Sequence, residues 1–361
     1  MPSPEGHRLA VVVPNWNGAD RLPACLASLA AQRQPATIVV VENGSADRSA
    51  EVLAELTERL RPASIVTLAN ATNLGFAGGV NVGIRWALEQ GHDAVALFNN
   101  DAVAEPDWLG ELVAALDAHP ECGIVTGRLL MHDGKTIDST GDFYSVWGLP
   151  FPRDRDLPAG PDARPSGEVF AASGGASLYR RELFEAIGLF DEDFFAYLED
   201  VDLSFRAQLA GFRVWYQQTA VAYHAQGSTS ATVSGFATHH SLKNMPLLLV
   251  KDVPLRWLPG IGARFCVLYP LLVVNALRRR ETEAALTALT TAARLLPRAL
   301  RQRRRIQRAR VADLHRLRPL LWPALPPGLV LARRARDWIR RLVRLPPLRD
   351  GTHITYDEPA G

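Results

Sequence analysis

The chain's 361 residues are 47% hydrophobic and 22% charged, the make-up of a folded protein with room for one large domain or two smaller ones. Its three cysteines, Cys25, Cys122 and Cys266, are widely spaced and odd in number, which argues against a disulfide framework or a zinc site and suits a reducing compartment. The net charge of +2 hides an asymmetry: 17 Lys/Arg and 30 Asp/Glu leave Met1–Asn244 at −13, whereas 23 and 8 leave Met245–Gly361 at +15.

Met1 to Arg8 is short and polar, and Leu9 to Val13 is too brief for the core of a signal peptide, so a cytoplasmic chain is expected. Leu9–Val13 reads as a strand that ends at Pro14-Asn15-Trp16-Asn17-Gly18. Leu22, Leu26, Leu29 and Ala30 then recur at helical spacing. Thr37–Val41 is a second strand, and after Glu42-Asn43-Gly44-Ser45 a helix is expected to run to Leu60 with Ser45 as its cap. Ser64–Leu68 is a third strand, and the turn from Asn73 to Gly79 leads into a helix carrying Val80, Ile84, Ala87 and Leu88. Ala94–Phe98 is an apolar strand that stops abruptly at Asn99-Asn100-Asp101. A helix over Asp107–Ala118 and a strand over Gly123–Leu130 follow.

Tyr144–Gly167 is rich in Pro, Gly, Asp and Arg and reads as a mobile loop over the site. Val169–Tyr179 is strand-like, with Gly174-Gly175 inside it, a pairing that often marks close backbone approach to a ligand. Arg181–Ile187 is a short helix, and Leu198–Ala210 a longer one ended by Gly211. Phe212–Tyr216 and Ala220–His224 are read as two further strands. Alternating strands and helices, with strands written as continuous apolar runs, predict an α/β fold with a mostly parallel sheet covered on both faces.

In such a sheet, ligands sit beyond the carboxyl ends of the strands, which is where Glu42 and Asp101 fall. Asp101 there can hold a hard divalent cation, although a strand-end turn explains Asn-Asn-Asp equally well. Glu42 can accept from the imide N–H of uracil or thymine, or simply complement the next helix dipole. Asn73-x-Gly75-Phe76-x-Gly78-x-x-Asn81 offers backbone amides to phosphate at a helix start, and a tight turn accounts for it nearly as well. Glu199-Asp200-Val201-Asp202 puts three acids in a first helical turn, more than capping needs. Asp202 and Arg206 stand at i,i+4 and are expected to pair, which leaves Glu199 and Asp200 available and offers a general base. His224 ends an apolar strand beside this expected metal position.

Taken together and in order, Pro14-Asn15-x-Asn17, Glu42-Asn43-Gly44-Ser45, the Asn73 to Asn81 motif, Asn99-Asn100-Asp101, Gly174-Gly175, Glu199-Asp200-x-Asp202 and His224 closely resemble family 2 glycosyltransferases, and within them the rhamnosyltransferase and galactofuranosyltransferase branch. The resemblance covers Leu9 to Ser230. It implies a GT-A fold and inverting transfer from a nucleotide-diphosphate sugar, dTDP-rhamnose or a UDP-hexose. Carried over by position, Pro14, Asn15, Asn17, Glu42, Asn43, Gly75, Asn81, Asn99 and Asn100 would surround the nucleotide; Gly174, Gly175 and Glu199 would face donor or acceptor sugar. Asp101 and His224 would hold Mg²⁺ or Mn²⁺, and Asp200 would be the catalytic base. The first acid of the family's Asp-x-Asp motif is Asn99 here, which weakens a two-carboxylate metal site. A sugar-nucleotide pyrophosphorylase would need a Gly-rich, Lys- or Arg-bearing loop after the first strand, and none precedes Arg21. A non-catalytic sugar-nucleotide-binding scaffold would keep the fold and be indifferent to loss of Asp200.

The chain is thus read as a catalytic domain over residues 1–244, a basic helical extension over 245–350 and a loose tail over 351–361. Met245–Leu277 is apolar but interrupted by charges and prolines, and its uncharged piece Phe265–Leu277 falls short of the ~20 residues that span a bilayer. Glu281–Leu317 is expected to be mostly helical and kinked or split at Pro297, and Val330–Leu345 repeats its Arg-rich amphipathic style. Such helices suit an anionic membrane surface, with a solvated helical bundle as the alternative, and no nucleic-acid motif accompanies the charge. The expected setting is peripheral, at the inner face of the plasma membrane, with a glycan or polyprenyl-linked acceptor.

Overall fold

The computed structural model describes residues 7–160, 164–224 and 233–327. The Val330–Leu345 helix, the tail from Gly351 and the segment Ala225–Ser230 after His224 lie outside the described residues. The chain divides into a large unit, Met1–Leu325, and a small one, Pro326–Gly361, of which only the first two residues are described.

The first half alternates as expected: β1 (Leu9–Asn15), α1 (Leu22–Ala30), β2 (Thr37–Asn43), α2 (Ser49–Arg59), β3 (Ile65–Asn70), α3 (Gly75–Glu89) and β4 (Ala94–Phe98). The strands pair in parallel in the order β4-β1-β2-β3. Adjacent residues of β1 enter different layers: Leu9, Val11 and Val13 pack with α1, α2 and the later α4, while Ala10 and Val12 pack with α3 and the later α6. Burial on both faces explains the apolar runs of β1, β2 and β4, whereas β3 at the sheet edge is half-exposed. Gly83 of α3 lies so close to the sheet that a Cβ there would stand 2.5 Å from a Val12 methyl. Ser45 does not cap α2: its hydroxyl accepts from the Asn17 N–H, and Asp47 accepts from the N–H of Ser49. The helix therefore starts four residues later than its apparent cap.

Next come β5 (Ala102–Ala104), α4 (Trp108–Ala118), β6 (Cys122–Met131) and β7 (Ile137–Ser139). Tyr144–Gly167, expected as a mobile loop, instead contributes strands: β8 (Asp142–Ser145), β9 (Pro150–Pro152) and β10 (Gly167–Glu168). Tyr144 and Trp147 are buried, and Tyr144 stacks on Phe170 and meets Phe205 edge-on. Long-range aromatic burial overrides a turn-rich composition. The strand expected over Val169–Tyr179 is shorter, β11 (Ala176–Arg180), and is followed by α5 (Arg181–Ile187) and α6 (Glu199–Leu209). β12 (Arg213–His224) is one strand where two were expected; an irregularity between Gln217 and Val221 lets it continue along β6.

Three long helices close the unit: α7 (Phe236–Asp252), α8 (Leu258–Arg278) and α9 (Thr282–Arg308). The boundary drawn after Asn244 falls inside α7. Prolines at 246, 270 and 297 sit within these helices without breaking them, so the expected split at Pro297 does not occur. Contact between helices supplies what the lost hydrogen bonds remove: α9 turns Ala285, Ala288, Ala292 and Ala299 inward, and small residues at this spacing allow close approach. α8 has the length and apolarity to cross a membrane, and only 22% of its most apolar window is buried. A short helix, α10 (Leu314–Leu317), precedes β13 (Leu321–Trp322), which pairs with β8.

The expected Asp202–Arg206 pair forms at 2.9 Å and is deeply buried. The Lys251 ammonium joins it, 2.5 Å from both Asp202 and Asp191. Burial opposes ionisation of Asp202, but Lys251 and Arg206 outweigh it and hold the carboxyl below its usual range. Removing one partner from such a cluster strands the other charges. Lys251→Met is therefore expected to cost about 3–5 kcal/mol in a chemical denaturation experiment, and an unchanged midpoint would show that the cluster is not what ties α6 to α7.

Candidate active site

A cleft of about 750 Å³ opens at the carboxyl ends of β1, β2 and β4 and is closed on the far side by β8–β9, α6 and α7. Pro14, Asn15, Asn43, Gly75, Asn99, Asn100, Asp101, Gly174, Gly175, Glu199, Asp200 and His224 all line it. Residues scattered over two hundred positions thus meet at one place. The parallel register sets Asn15 opposite Glu42 at the strand ends. Asn15 donates to Glu42 at 2.7 Å and accepts from Asn100 at 2.7 Å. Glu42 is buried beneath this layer and its second oxygen accepts from the N–H of Ser45, so its carboxylate orders the loop. Asn43 accepts from the N–H of Leu74 and donates to the carbonyl of Gly75, pinning the turn before α3. Gly75 needs its positive φ, and a Cβ there would strike the Phe195 carbonyl.

Three of the expected nucleotide residues, Glu42, Asn81 and Asn17, do other work and are not among the cleft-lining residues. Asn81 is 1% exposed. Its amide donates to Phe190 and Glu192 and accepts from the Phe190 N–H, so it ties α3 to the segment before α6. That removes Asn81 from the cleft. Asn17 accepts from the N–H of Ala46 and holds two loops together; it is not among the cleft-lining residues.

β12 pairs with β5 so that His224 lies opposite Ala102, which carries the imidazole to Asp101. His224 Nε2 is 3.0 Å from Asp101 and its Nδ1 is 2.8 Å from Asp138. Asp138 in turn accepts from Arg155 at 2.8 Å. Burial alone would push His224 down; the hydrogen bonds from its ring to Asp101 and Asp138 prevail and hold it at about 9. The imidazole is therefore cationic at neutral pH, between two carboxylates. Sequence reading missed Asp138, Asp142 and Arg155, because all three lie in or beside the segment taken for a loop. Arg155 is the one Lys or Arg lining the cleft among the described residues.

On the opposite wall, Asp200 accepts from the N–H of Gly174 at 2.9 Å and from its neighbour Val201 at 2.8 Å. Gly174-Gly175 separates the two walls: a Cβ on Gly175 would stand 3.0 Å from the Asn99 amide, and one on Gly174 would stand 3.3 Å from Asp200 Cβ. Burial raises the Asp200 carboxyl above its usual range, against those hydrogen bonds. Burial, and then the charge of Asp200, push Asp142 and Glu199 well above it. Closely spaced acids of this kind cannot all be ionised together.

The approach to α6 is strained. Phe195, Tyr197 and Leu198 all have positive φ, which costs a non-glycine residue of order 1–3 kcal/mol. α7 holds them there: Asn244 donates to the carbonyls of Phe194, Ala196 and Tyr197, Lys243 donates to those of Asp193 and Phe194, and His240 stacks on Phe195.

A family model described as glycosyltransferase-like family 2 matches residues 7–237. The chain belongs to that family. This glycosyltransferase is 30% identical over 302 residues to the N-acetylglucosaminyl-diphospho-decaprenol L-rhamnosyltransferase of Mycobacterium tuberculosis, covering 75% of its own length and 94% of the relative's. It is 35% identical over 158 residues to the O-antigen biosynthesis protein RfbC of Myxococcus xanthus, a match that covers 40% of this chain and only 12% of the much longer relative. Among solved structures, the glycosyltransferase resembles Pyrobaculum calidifontis mannosyltransferase PcManGT in complex with GDP-Man and Mn²⁺, with a TM-score of 0.52, 19% identity and coverage of 86% and 88% of the two chains. S. aureus TarS 1-349 in complex with UDP-GlcNAc gives 0.55, 18%, 87% and 90%. At these identities the likeness establishes the GT-A fold.

The strained approach to α6 makes a prediction for the glycosyltransferase. Asn244→Ala, by freeing three carbonyls, is expected to cost about 1–3 kcal/mol of stability. For Asp200 as the base that the family resemblance implies, a shift of even an ångström is expected to lower turnover by up to about 10²-fold. A folded variant with the parent's rate, measured as nucleoside diphosphate release, would show that the clamp does not position Asp200.

Proposed function

We propose that the enzyme transfers a sugar, with inversion, from a nucleoside diphosphate donor to a lipid-linked or cell-surface glycan at the inner face of a bacterial-type plasma membrane. The observation that carries this reading is the meeting of Asp101, His224 and Asp200 in one cleft, with Gly174-Gly175 between them. An acceptor hydroxyl oxygen attacks the anomeric carbon, the bond from that carbon to the diphosphate oxygen breaks, and the nucleoside diphosphate departs with the electron pair. Asp200 accepts the hydroxyl proton. Its raised carboxyl is a better base than an ordinary aspartate once ionised. No covalent enzyme intermediate is needed, so configuration inverts. dTDP-rhamnose or a UDP-hexose is the proposed donor. The M. tuberculosis relative, named for a rhamnosyl transfer to a decaprenol-linked sugar, supports the first and supports a polyprenyl-linked acceptor.

Asp101 and His224 are the residues proposed to hold Mg²⁺ or Mn²⁺, which would offset charge on the diphosphate. An oxygen and an imidazole donor suit such a metal, but no third His, Cys, Asp or Glu completes a protein cage among the described residues. The remaining positions would fall to diphosphate oxygens and water, as is usual for Mg²⁺. To ligate, His224 must give up the proton it shares with Asp101.

Membrane attachment draws support from the charge split between the two parts of the chain and from the sparsely buried apolar helix α8. Incubation with a panel of nucleotide sugars, Mn²⁺ and membrane extract tests the reading, with nucleoside diphosphate release as readout. Asp200→Asn is expected to lower turnover by about 10²–10⁴-fold, and Asp101→Ala to weaken the response to Mn²⁺. Parent rates in both variants would overturn the assigned roles. Activity should fall as pH drops through the raised Asp200 range, because only the ionised carboxylate takes a proton; an acidic limb at an ordinary aspartate value, about 3.9, would contradict it.

A further inference from the structure

The cleft touches the first half of α7. A second concavity, about 500 Å³, opens beyond its last turn, between the α7–α8 link and the end of α9. Its floor is fixed by the protein: Arg303 donates to the carbonyls of Val250 and Val253, and Gln307 donates to that of Asp252. Its walls are cationic. Arg256, Arg304 and Arg308 line it and form no hydrogen bond or ion pair with another side chain among the described residues. Arg310 lines it too and donates only to the Ala312 carbonyl. The one acid there, Asp313, accepts from the N–H of His315.

This arrangement is unfavourable as it stands. Arg304 and Arg308 are one turn apart on α9, where like charges repel. A guanidinium fork matches the oxygens of a phosphate, and several forks around one concavity match it better. The rim adds a second, apolar feature. Leu255, in the lining, is 73% exposed, and Val311, next to Arg310, is 79% exposed. They are the two most exposed large hydrophobic side chains among the described residues. From Leu258 the helix α8 continues the apolar surface: Ile261, Phe265 and Leu268 face inward, while Cys266, Val274 and Leu277 are exposed, and Arg278, Arg279 and Arg280 end it. A helix with one face anchored to its neighbours, an apolar outer face and cations at its end fits the boundary between headgroups and acyl chains.

We propose that the concavity takes the phosphate of an anionic phospholipid, with Leu255, Val311 and the outer face of α8 in the acyl boundary. A free phosphate would engage the arginines alone and leave those apolar groups in water, so the bilayer is the occupant the surface fits. The proposal rests on the membrane setting in the proposed function and adds a specific site to it.

The experiment is co-sedimentation of the full chain with vesicles of phosphatidylcholine alone or mixed with phosphatidylglycerol. The protein is expected to sediment with the mixed vesicles only. R304E/R308E should lower that partition by roughly tenfold or more, and Leu255→Asp should lower it with the charge of the pocket intact. R294E/R301E, which changes exposed arginines of the same helix outside the pocket, should have a clearly smaller effect. Transfer to a water-soluble acceptor should be unchanged in R304E/R308E, since the pocket is separate from the cleft. If R294E/R301E loses as much binding as R304E/R308E, attraction is diffuse and the pocket is overturned while the membrane setting stands. If the parent protein ignores both vesicle types, the membrane setting falls and the pocket proposal with it. If inorganic phosphate raises the melting temperature of the parent but not of R304E/R308E, and Leu255→Asp binds vesicles as well as the parent, the site is one for free phosphate and the lipid assignment is overturned.

Discussion

The Lys251 ammonium, between the carboxylates of Asp191 and Asp202 in the interior, fixes where the helix bearing Asp200 can lie. Asp202 belongs to α6, Lys251 to the end of α7, and Asp191 to the segment that leads into α6. Arg206 adds donors to the carbonyls of Ile187 and Leu189, so the approach and the helix are held by the same cluster. Buried charges of this sort contribute little net stability, since their desolvation offsets their attraction. What they confer is a defined position. Next to them, burial and the charge of Asp202 keep Asp252 well above the carboxylate range, so the cluster is not overloaded with negative charge. With that frame in place, Lys243 and Asn244 can force three residues into left-handed backbone and point the first turn of α6 at Gly174.

The cleft is richer in acids than in cations. Asp101, Asp142, Glu199 and Asp200 line it against Arg155 and His224. Two features moderate this. Asp142 and Glu199 are held in the protonated direction by burial, and His224 is held cationic between Asp101 and Asp138. A diphosphate entering would still meet little positive charge, which is the physical reason the proposed function includes a divalent cation. Asp200 is raised by its burial, against the hydrogen bonds it accepts from the Gly174 and Val201 N–H groups.

Much of this was legible in the residues. Strands buried on both faces have to be apolar throughout, so β1, β2 and β4 announce themselves, and the polar residues that follow each one mark the sheet edge where ligands gather. The place of Glu199 and Asp200 on the cleft wall was legible because three acids in one turn exceed what a helix start requires. The failures share a cause: a local signal was outvoted by a distant partner. Ser45 has the chemistry of a helix cap, yet its hydroxyl is engaged by the Asn17 backbone. Asn81 fits a phosphate turn, yet its amide is taken up by Phe190, over a hundred positions away. Tyr144 and Trp147 lie amid turn residues, but Phe170, Phe205 and the helices below bury them. That misreading hid Arg155, which donates to the carboxylate of Asp138 that His224 also meets. Pro297 carries the signal of a helix break, and α9 runs through it because its alanine face lies tightly on α7.

α7 serves as a ruler. Its seventeen residues span about 25 Å at the helical rise, with Phe236, Ser241 and Met245 facing the cleft, Asn244 gripping the loop, and the arginine pocket at its far end. A single inserted residue would rotate one end against the other by about 100°. The gap between the two ends is therefore quantised in whole turns, and neither end can drift by small steps without uncoupling from the other.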